Sequence, residues 1–347
     1  MISVSFIAPA ANLIMPFPHP QNLSGRGKGI QLSIMRYTSC IVILLLLSCC
    51  TSPSSVEQTA NDDSLTLIFT GDVLLDRGVR QQIDRHGVAW LFDDVADLFH
   101  DSDATVINLE CPLTDISTPI GKQYIFRADT RWAHQLNAAG ITHAALANNH
   151  TNDQGLQGIA STVKCLGEAG ITPLGCGKTV AERFTPVIIE KGDIKVAVFN
   201  AVLLNLENWT PVSDGNMIVC ETDAATLAKA VREYRQKNER EHIVVVLHWG
   251  TEFQSSPSFT QRLQARQLIS AGADAIIGHH PHVIQSVDTI AGRTVMYSLG
   301  NFVFDQHNPL AKKALIAKIT VKADTLRVSS IPVNIDNCKP VPIVCSE

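Results

Sequence analysis

Five apolar runs in this chain each end in a residue able to bind a cation or move a proton. The run 65–69 stops at Thr70-Gly71-Asp72, and the run 104–109 delivers Glu110. The run 141–147 leads into Asn148-Asn149-His150. The run 243–247 leads into His248-Trp249-Gly250, and 275–278 leads into His279-His280-Pro281-His282. Carboxylate, amide and imidazole donors together suit Zn, Mn, Fe or Mg. Taken singly, each motif has an ordinary explanation: an Asp after Gly is commonly a turn residue, and a lone His at a strand end is commonly structural. Glu110 is harder to dismiss, because a carboxylate directly after a buried strand is unfavourable unless paired or liganded. Residues two apart in an extended segment point the same way, so His280 and His282 are expected to converge while His279 points elsewhere. His150, beside the ligand-type Asn149, is positioned to act as an acid or base.

These residues meet only if the strands that carry them open onto one rim, as the carboxyl ends of strands do in α/β sheets. Apolar residues at three- and four-residue spacing predict helices over 76–85, 90–99, 131–139, 158–169, 224–238 and 259–271. Further strands are expected at 185–190, 194–201, 294–299, 314–321 and 326–331, with Lys191-Gly192-Asp193 as a hairpin turn. Early βαβ units followed by late hairpins predict a mixed sheet, or two packed sheets with helices outside. One domain is expected over 65–335, with 336–347 as a C-terminal tail. The 45% hydrophobic and 18% charged residues suit a folded chain of enzyme size. A net charge of -5 gives no nucleic-acid-binding surface, so no nucleic-acid partner is expected.

The apolar stretch 41–47 is too short to span a bilayer, which needs about 20 residues. With Arg36 before it and small residues after, it reads as the core of a signal peptide. Leu46-Leu47-Ser48-Cys49 resembles a bacterial lipobox, with Cys49 as the lipidated residue. Met35 directly precedes Arg36 and reads as the native start, which makes residues 1–34 an over-extended gene start within the segment 1–49. Residues 50–64 are polar and aperiodic, a flexible tether. The expected location is extracytoplasmic, lipid-anchored to the cytoplasmic or outer membrane. The remaining cysteines are scattered without a Cys-x-x-Cys pair, so thiol metal ligation is not expected. A Cys338–Cys345 bridge is one pairing the sequence permits.

Gly71-Asp72, Asn108-Leu109-Glu110, Asn148-Asn149-His150-Thr151-Asn152-Asp153-Gln154-Gly155, His248-Trp249-Gly250, Gly278-His279-His280-Pro281-His282 and Tyr297-Ser298-Leu299-Gly300-Asn301-Phe302 occur in that order. Over about 65–304 the chain thereby resembles the CapA family of capsule or poly-γ-glutamate synthesis proteins, related to calcineurin-like metallophosphoesterases. The resemblance implies a four-layer α/β/β/α sandwich with a dimetal-type site for a divalent ion. It implies Asp72, Glu110, Asn149, His248, His280 and His282 as ligands, with Glu110 in the bridging place, and His150 as the catalytic histidine. One departure matters: phosphoesterases carry Asp-x-His in the first motif, where this chain has Asp72-Val73-Leu74. One of the two metal positions should therefore bind more weakly. Arg77 and Arg127 are candidates to hold a substrate phosphate or carboxylate through a guanidinium fork. The implied role is an envelope-anchored protein in capsule or poly-γ-glutamate synthesis, export or attachment. Its partners would be an anionic polymer or other phosphate or carboxylate substrate, and membrane capsule-synthesis proteins. A metal-dependent hydrolase is the activity such a site would support. An extracytoplasmic phosphoesterase on small substrates and a non-catalytic assembly partner are the alternatives.

Overall fold

Two stacked β-sheets, each covered by helices on its outer side, make up the computed structural model, which describes residues 64–206 and 215–343. The signal-peptide reading, Cys49, nearly all of the tether and Cys345 lie outside the described residues. The first sheet runs Lys339–Pro342, Thr325–Asp336, Lys313–Lys322, Ser64–Val73, Ala104–Leu109, His143–Ala145, Thr172–Leu174, and Asn301–Val303 pairs with the end of Ser64–Val73. The second runs Val287–Ile290, Arg293–Met296, Ala275–His279, His242–His248, Ile194–Val202, Val187–Lys191.

Alternation along the strands sorts side chains between layers. Leu65, Leu67 and Phe69 face the second sheet, where they pack with Val196, Val198, Val244, Val246 and Ile277. Ile68 faces the other way, into a core shared with helices Arg77–His86, Trp132–Ala138 and Gly155–Glu168. Helices Ala224–Lys237 and Phe259–Ala271 cover the second sheet through Leu227, Val231, Ala265 and Leu268. This is the expected four-layer α/β/β/α sandwich. Strands buried on both faces explain the unbroken apolar run 243–247.

Local chemistry fixes the helix starts. Asp76 caps Arg77–His86 by accepting from Arg77 N at 2.8 Å, and Ser258 and Gln261 form a reciprocal capping box on Phe259–Ala271. The expected helix over 90–99 divides into a 3-10 stretch, Ala89–Val95, and a short α-helix, Ala96–His100. The expected strand over 326–331 extends to Asp336, and Lys339–Pro342 pairs antiparallel with it. The first sheet therefore continues past residue 335 into the stretch read as a tail. Among the described residues no helix is long and apolar enough to cross a membrane, and the five described cysteines form no disulfide.

Near the ends of Ser64–Val73 and Ala275–His279, each strand lies close against the chain beside it in its own sheet, and a glycine permits each approach. A Cβ on Gly71 would stand 2.1 Å from Gly300 O, and one on Gly278 would stand 2.1 Å from Tyr297 O. Tyr297 O already accepts from Trp249 Nε1 at 2.9 Å, so it cannot move without breaking a buried hydrogen bond. Gly278→Ala is expected to destabilise the fold by about 1–3 kcal/mol through overpacking. A denaturant midpoint equal to that of the unmodified chain would contradict this account.

Candidate metal centre

Irregular backbone aims the site residues. Beside Asp72 the ladder slips register against both Ala104–Leu109 and Asn301–Val303, a bulge of the kind that re-aims a side chain. Asp72 is fully buried, accepts from Asn108 Nδ2 at 2.8 Å and lies 3.1 Å from His282 Nδ1. His280 and His282 do converge, with ring centroids 6.1 Å apart, but not by strand alternation. The strand ends at His279, and His280 and His282 adopt left-handed backbone at φ 98° and 58°. Strain at two non-glycine residues persists only where the surroundings enforce it, which is typical of functional sites. His279 points away as expected, with Nε2 2.8 Å from Thr70 O.

Glu110 is the centre of the arrangement. It is 0% exposed, and when ionised neither carboxylate oxygen has a hydrogen-bond partner. Its Oε1 lies 3.7 Å from His248 Nε2 and 3.8 Å from His282 Nε2. Two clusters of ligand-type atoms result, each within 4.8 Å: Glu110 with His248 and His280, and Asp72 with Glu110 and His282. Asn149 Oδ1 joins the first cluster, 2.8 Å from His248 Nε2, and His280 Nδ1 lies 3.2 Å from the same nitrogen. The donors thus fall into two sets that share one carboxylate.

Electrostatics favour a cation here. Burial, then the neighbouring Asp72 charge, push Glu110 well above the usual carboxylate range. Without a counter-charge it takes up a proton, for which Asp72 is a nearby acceptor. Burial alone would raise Asp72 as well, but His282, His279 and Asn108 outweigh it and hold the group below its ordinary value. Burial and the adjacent histidines drive His248 well below the normal imidazole range and His280 to about 3. His248 and His280 are therefore neutral near pH 7, the form that binds metals. A buried carboxylate without a hydrogen-bond partner, facing imidazole nitrogens, fits a divalent ion. Leu74, where an additional histidine would stand, is buried in the helix-side core and offers nothing to this set.

His150 sits beside the clusters. Its Nδ1 lies 2.9 Å from Asp153 Oδ2, and the ring packs on Phe126 at 4.3 Å between centroids. Burial lowers its pKa, partly offset by Asp153. Lys122, buried at its head, pairs with Asp153 Oδ1 at 2.7 Å and donates to Asn149 O. A cleft of about 380 Å³ opens over these groups, lined among others by Lys122, Tyr124, Asn149, His150, Glu252 and His280.

Neither arginine read from the sequence as substrate-binding lines that cleft. Arg77 is ion-paired with Asp305, and Arg127 is an exposed residue whose Nη1 reaches Asp115 O at 3.4 Å. The cationic side chain at the cleft is Lys122. Lys122 and Glu252 carried no sequence signal, since each stands in an irregular loop. Asn108, Asn148, Asp153 and Asn301 lay inside the motifs without being singled out. Asn148 holds the His150 turn by accepting from His150 N and Thr151 N, each at 3.0 Å, and Asn301 Oδ1 lies 3.0 Å from His282 Nδ1.

A family model described as "Bacterial capsule synthesis protein PGA_cap" matches residues 66–306. The capsule biosynthesis protein CapA of Bacillus anthracis is 30% identical over 291 residues, spanning 81% of this chain and 70% of that one. The PGA biosynthesis protein CapA of Bacillus subtilis is 28% identical over 296 residues, spanning 82% and 76%. Among solved structures, a candidate 5'-nucleotidase of Staphylococcus aureus superposes with a TM-score of 0.51 at 15% identity, over 82% of this chain and 55% of that one. That likeness is one of fold.

Glu110→Gln keeps the side-chain shape and removes the charge. Ion binding to the purified variant is expected to weaken by more than the roughly 10–100-fold lost when only a supporting residue changes. The metal-free melting temperature should stay near that of the unmodified chain, because the protonated carboxyl and the amide are both neutral and similar in shape. Unchanged ion affinity in titration calorimetry would remove Glu110 from the ligand set.

Proposed function

Because the chain belongs to the bacterial capsule synthesis protein family PGA_cap, we propose that it acts in making, exporting or attaching an anionic capsule polymer such as poly-γ-glutamate. In this reading a divalent ion is held by Asp72, Glu110, Asn149, His248, His280 and His282. The observation that carries the reading is the Glu110 carboxylate, fully buried, without a hydrogen-bond partner, and common to both ligand clusters. Three imidazoles in the donor set favour Zn, Mn or Fe over Mg. When bound, such an ion supplies Lewis-acid polarisation of a phosphate, carboxylate or amide oxygen.

The chain's own groups supply the proton chemistry and the binding. Asp153 engages His150 Nδ1 and so leaves Nε2 as the atom that gives or takes a proton at the substrate. The buried Lys122 ammonium offsets the Asp153 charge, so the cleft is not made strongly anionic by that carboxylate. Phe126 covers the His150 ring and limits its rotation. Loss of the imidazole equivalent at Leu74 leaves the Asp72 cluster with the poorer donor set, so two ions would bind unequally.

His150→Ala is expected to abolish polymer output in a complemented capsule-forming strain while metal content stays near that of the unmodified protein. His280→Ala should lower metal content itself. A general acid or base contributes about a hundred- to ten-thousand-fold in rate. Normal output from His150→Ala would favour a non-catalytic assembly partner, and equal metal loss in both variants would make His150 a ligand.

The same proposal places the protein outside the cytoplasm on a lipid anchor at Cys49, supported by the short apolar run 41–47 and the Leu46-Leu47-Ser48-Cys49 motif. From there it would meet membrane capsule-synthesis proteins and the emerging polymer. Cys49→Ala should release the protein from membranes with its fold intact. If the variant still sediments entirely with membranes after a carbonate wash, the anchor reading fails.

A further inference from the structure

Arg77 was read from the sequence as a substrate-binding residue, and its surroundings give it a different task. It follows the strand that carries Asp72 and has left-handed backbone, φ 53°, at a non-glycine position. Asp305 clasps this turn at two points: one carboxylate oxygen pairs with the Arg77 guanidinium, and Oδ2 accepts from Gly78 N at 2.9 Å. A Cβ on Gly78 would stand 2.9 Å from the Asp305 Cβ, so the clasp requires glycine at that position. Arg77 Nε is buried without a hydrogen-bond partner, so hydrogen bonding alone does not account for where the group sits.

What the guanidinium touches are two aromatic rings. Arg77 Cζ lies 5.0 Å from the Phe126 centroid and 5.4 Å from the Phe304 centroid, both within cation–π range. Each ring in turn packs on a site histidine: Phe126 on His150 at 4.3 Å, and Phe304 on His282 at 4.8 Å. These two histidines come from different parts of the chain and share no direct hydrogen bond among the described contacts. The Phe126–Arg77–Phe304 stack bridges them.

We propose that Arg77 is a positioning residue: clasped by Asp305, it holds Phe126 and Phe304 and thereby fixes His150 and His282 relative to each other. A planar guanidinium can contact two ring faces and an ion-pair partner together, whereas a lysine ammonium is a point charge without a face. The part of this inference that concerns ion affinity rests on the cation reading given above. The part that concerns ring positions does not.

The test uses the full chain with Arg77→Lys and, as a second variant that keeps the arginine, Asp305→Asn. Imidazole nitrogen NMR of the metal-free proteins reads the rings directly. The His150 and His282 signals are expected to shift or broaden in both variants, while His143 and His279 stay in place. Manganese titration of the same proteins should lose about 10–100-fold at one ion, the range for supporting residues, with the other ion unchanged. Unmoved His150 and His282 signals would overturn the proposal, as would equal weakening of both ions alongside a general drop in melting temperature. If the unmodified chain binds no manganese, the cation reading fails, and the NMR comparison alone then decides for or against the clamp.

Discussion

A carboxylate with no partner governs the centre of this molecule. Glu110 comes from the first sheet and faces His248 and His282, which belong to the second sheet and the turn that follows it. Keeping that group ionised without a counter-charge would cost several kcal/mol, a large fraction of a domain's net stability. The rest of the architecture sustains that arrangement. Gly71 and Gly278 let backbones approach within a distance no side chain would allow, the bulge at Asp72 turns a second carboxylate inward, and left-handed His280 and His282 bring imidazoles to the same point. Local irregularity of this kind, concentrated in one place, is what a fold tolerates when the place does something.

Around that centre the polar groups form a supporting shell with little slack. Asn108 Nδ2 donates to Asp72 at 2.8 Å, and Asn108 Oδ1 accepts from Asn148 Nδ2 at 3.2 Å. Asn148 also donates to Leu109 O and caps the turn that presents His150. One amide pair therefore connects the carboxylate side of the site to the turn that carries His150. Supporting contacts of this sort orient ligands and set their basicity, and here they are drawn from the same motifs as the candidate ligands.

Much of this was legible in the sequence because it is local. An apolar run predicts a buried strand, and the polar residue that ends it predicts what the strand delivers, which holds for Asp72, Glu110, His248 and the Gly278–His282 motif. The hairpin at Gly192 followed from its turn residues, and the helices expected over 76–85 and 259–271, observed at Arg77–His86 and Phe259–Ala271, followed from spacing. What could not be read depends on partners far away in the chain. The task of Arg77 depends on Asp305, 228 positions on, and the place of Lys122 depends on how an irregular loop folds over Asp153. The edge strand Lys339–Pro342 is short and contains two prolines, with no periodicity of its own, and exists because Val333–Asp336 offers it an unpaired ladder. The convergence of His280 and His282 was expected for a reason that does not apply, since strand geometry ends at His279.

The spread of the site along the chain has a consequence for how the protein matures. Asp72 and Glu110 lie early, His248, His280 and His282 lie late, and the two groups sit on different sheets. Contacts of such sequence separation form slowly, because loop-closure entropy must be overcome before they contribute. A chain with only its first sheet formed has Asp72, Glu110 and Asn149 but none of His248, His280 and His282, a set with little preference among the divalent ions it meets. The selective set exists only after the sheets have docked. Under the cation reading proposed above, choice of ion would thereby be deferred to the final stage of folding, and made by whichever compartment the chain occupies when that stage is reached.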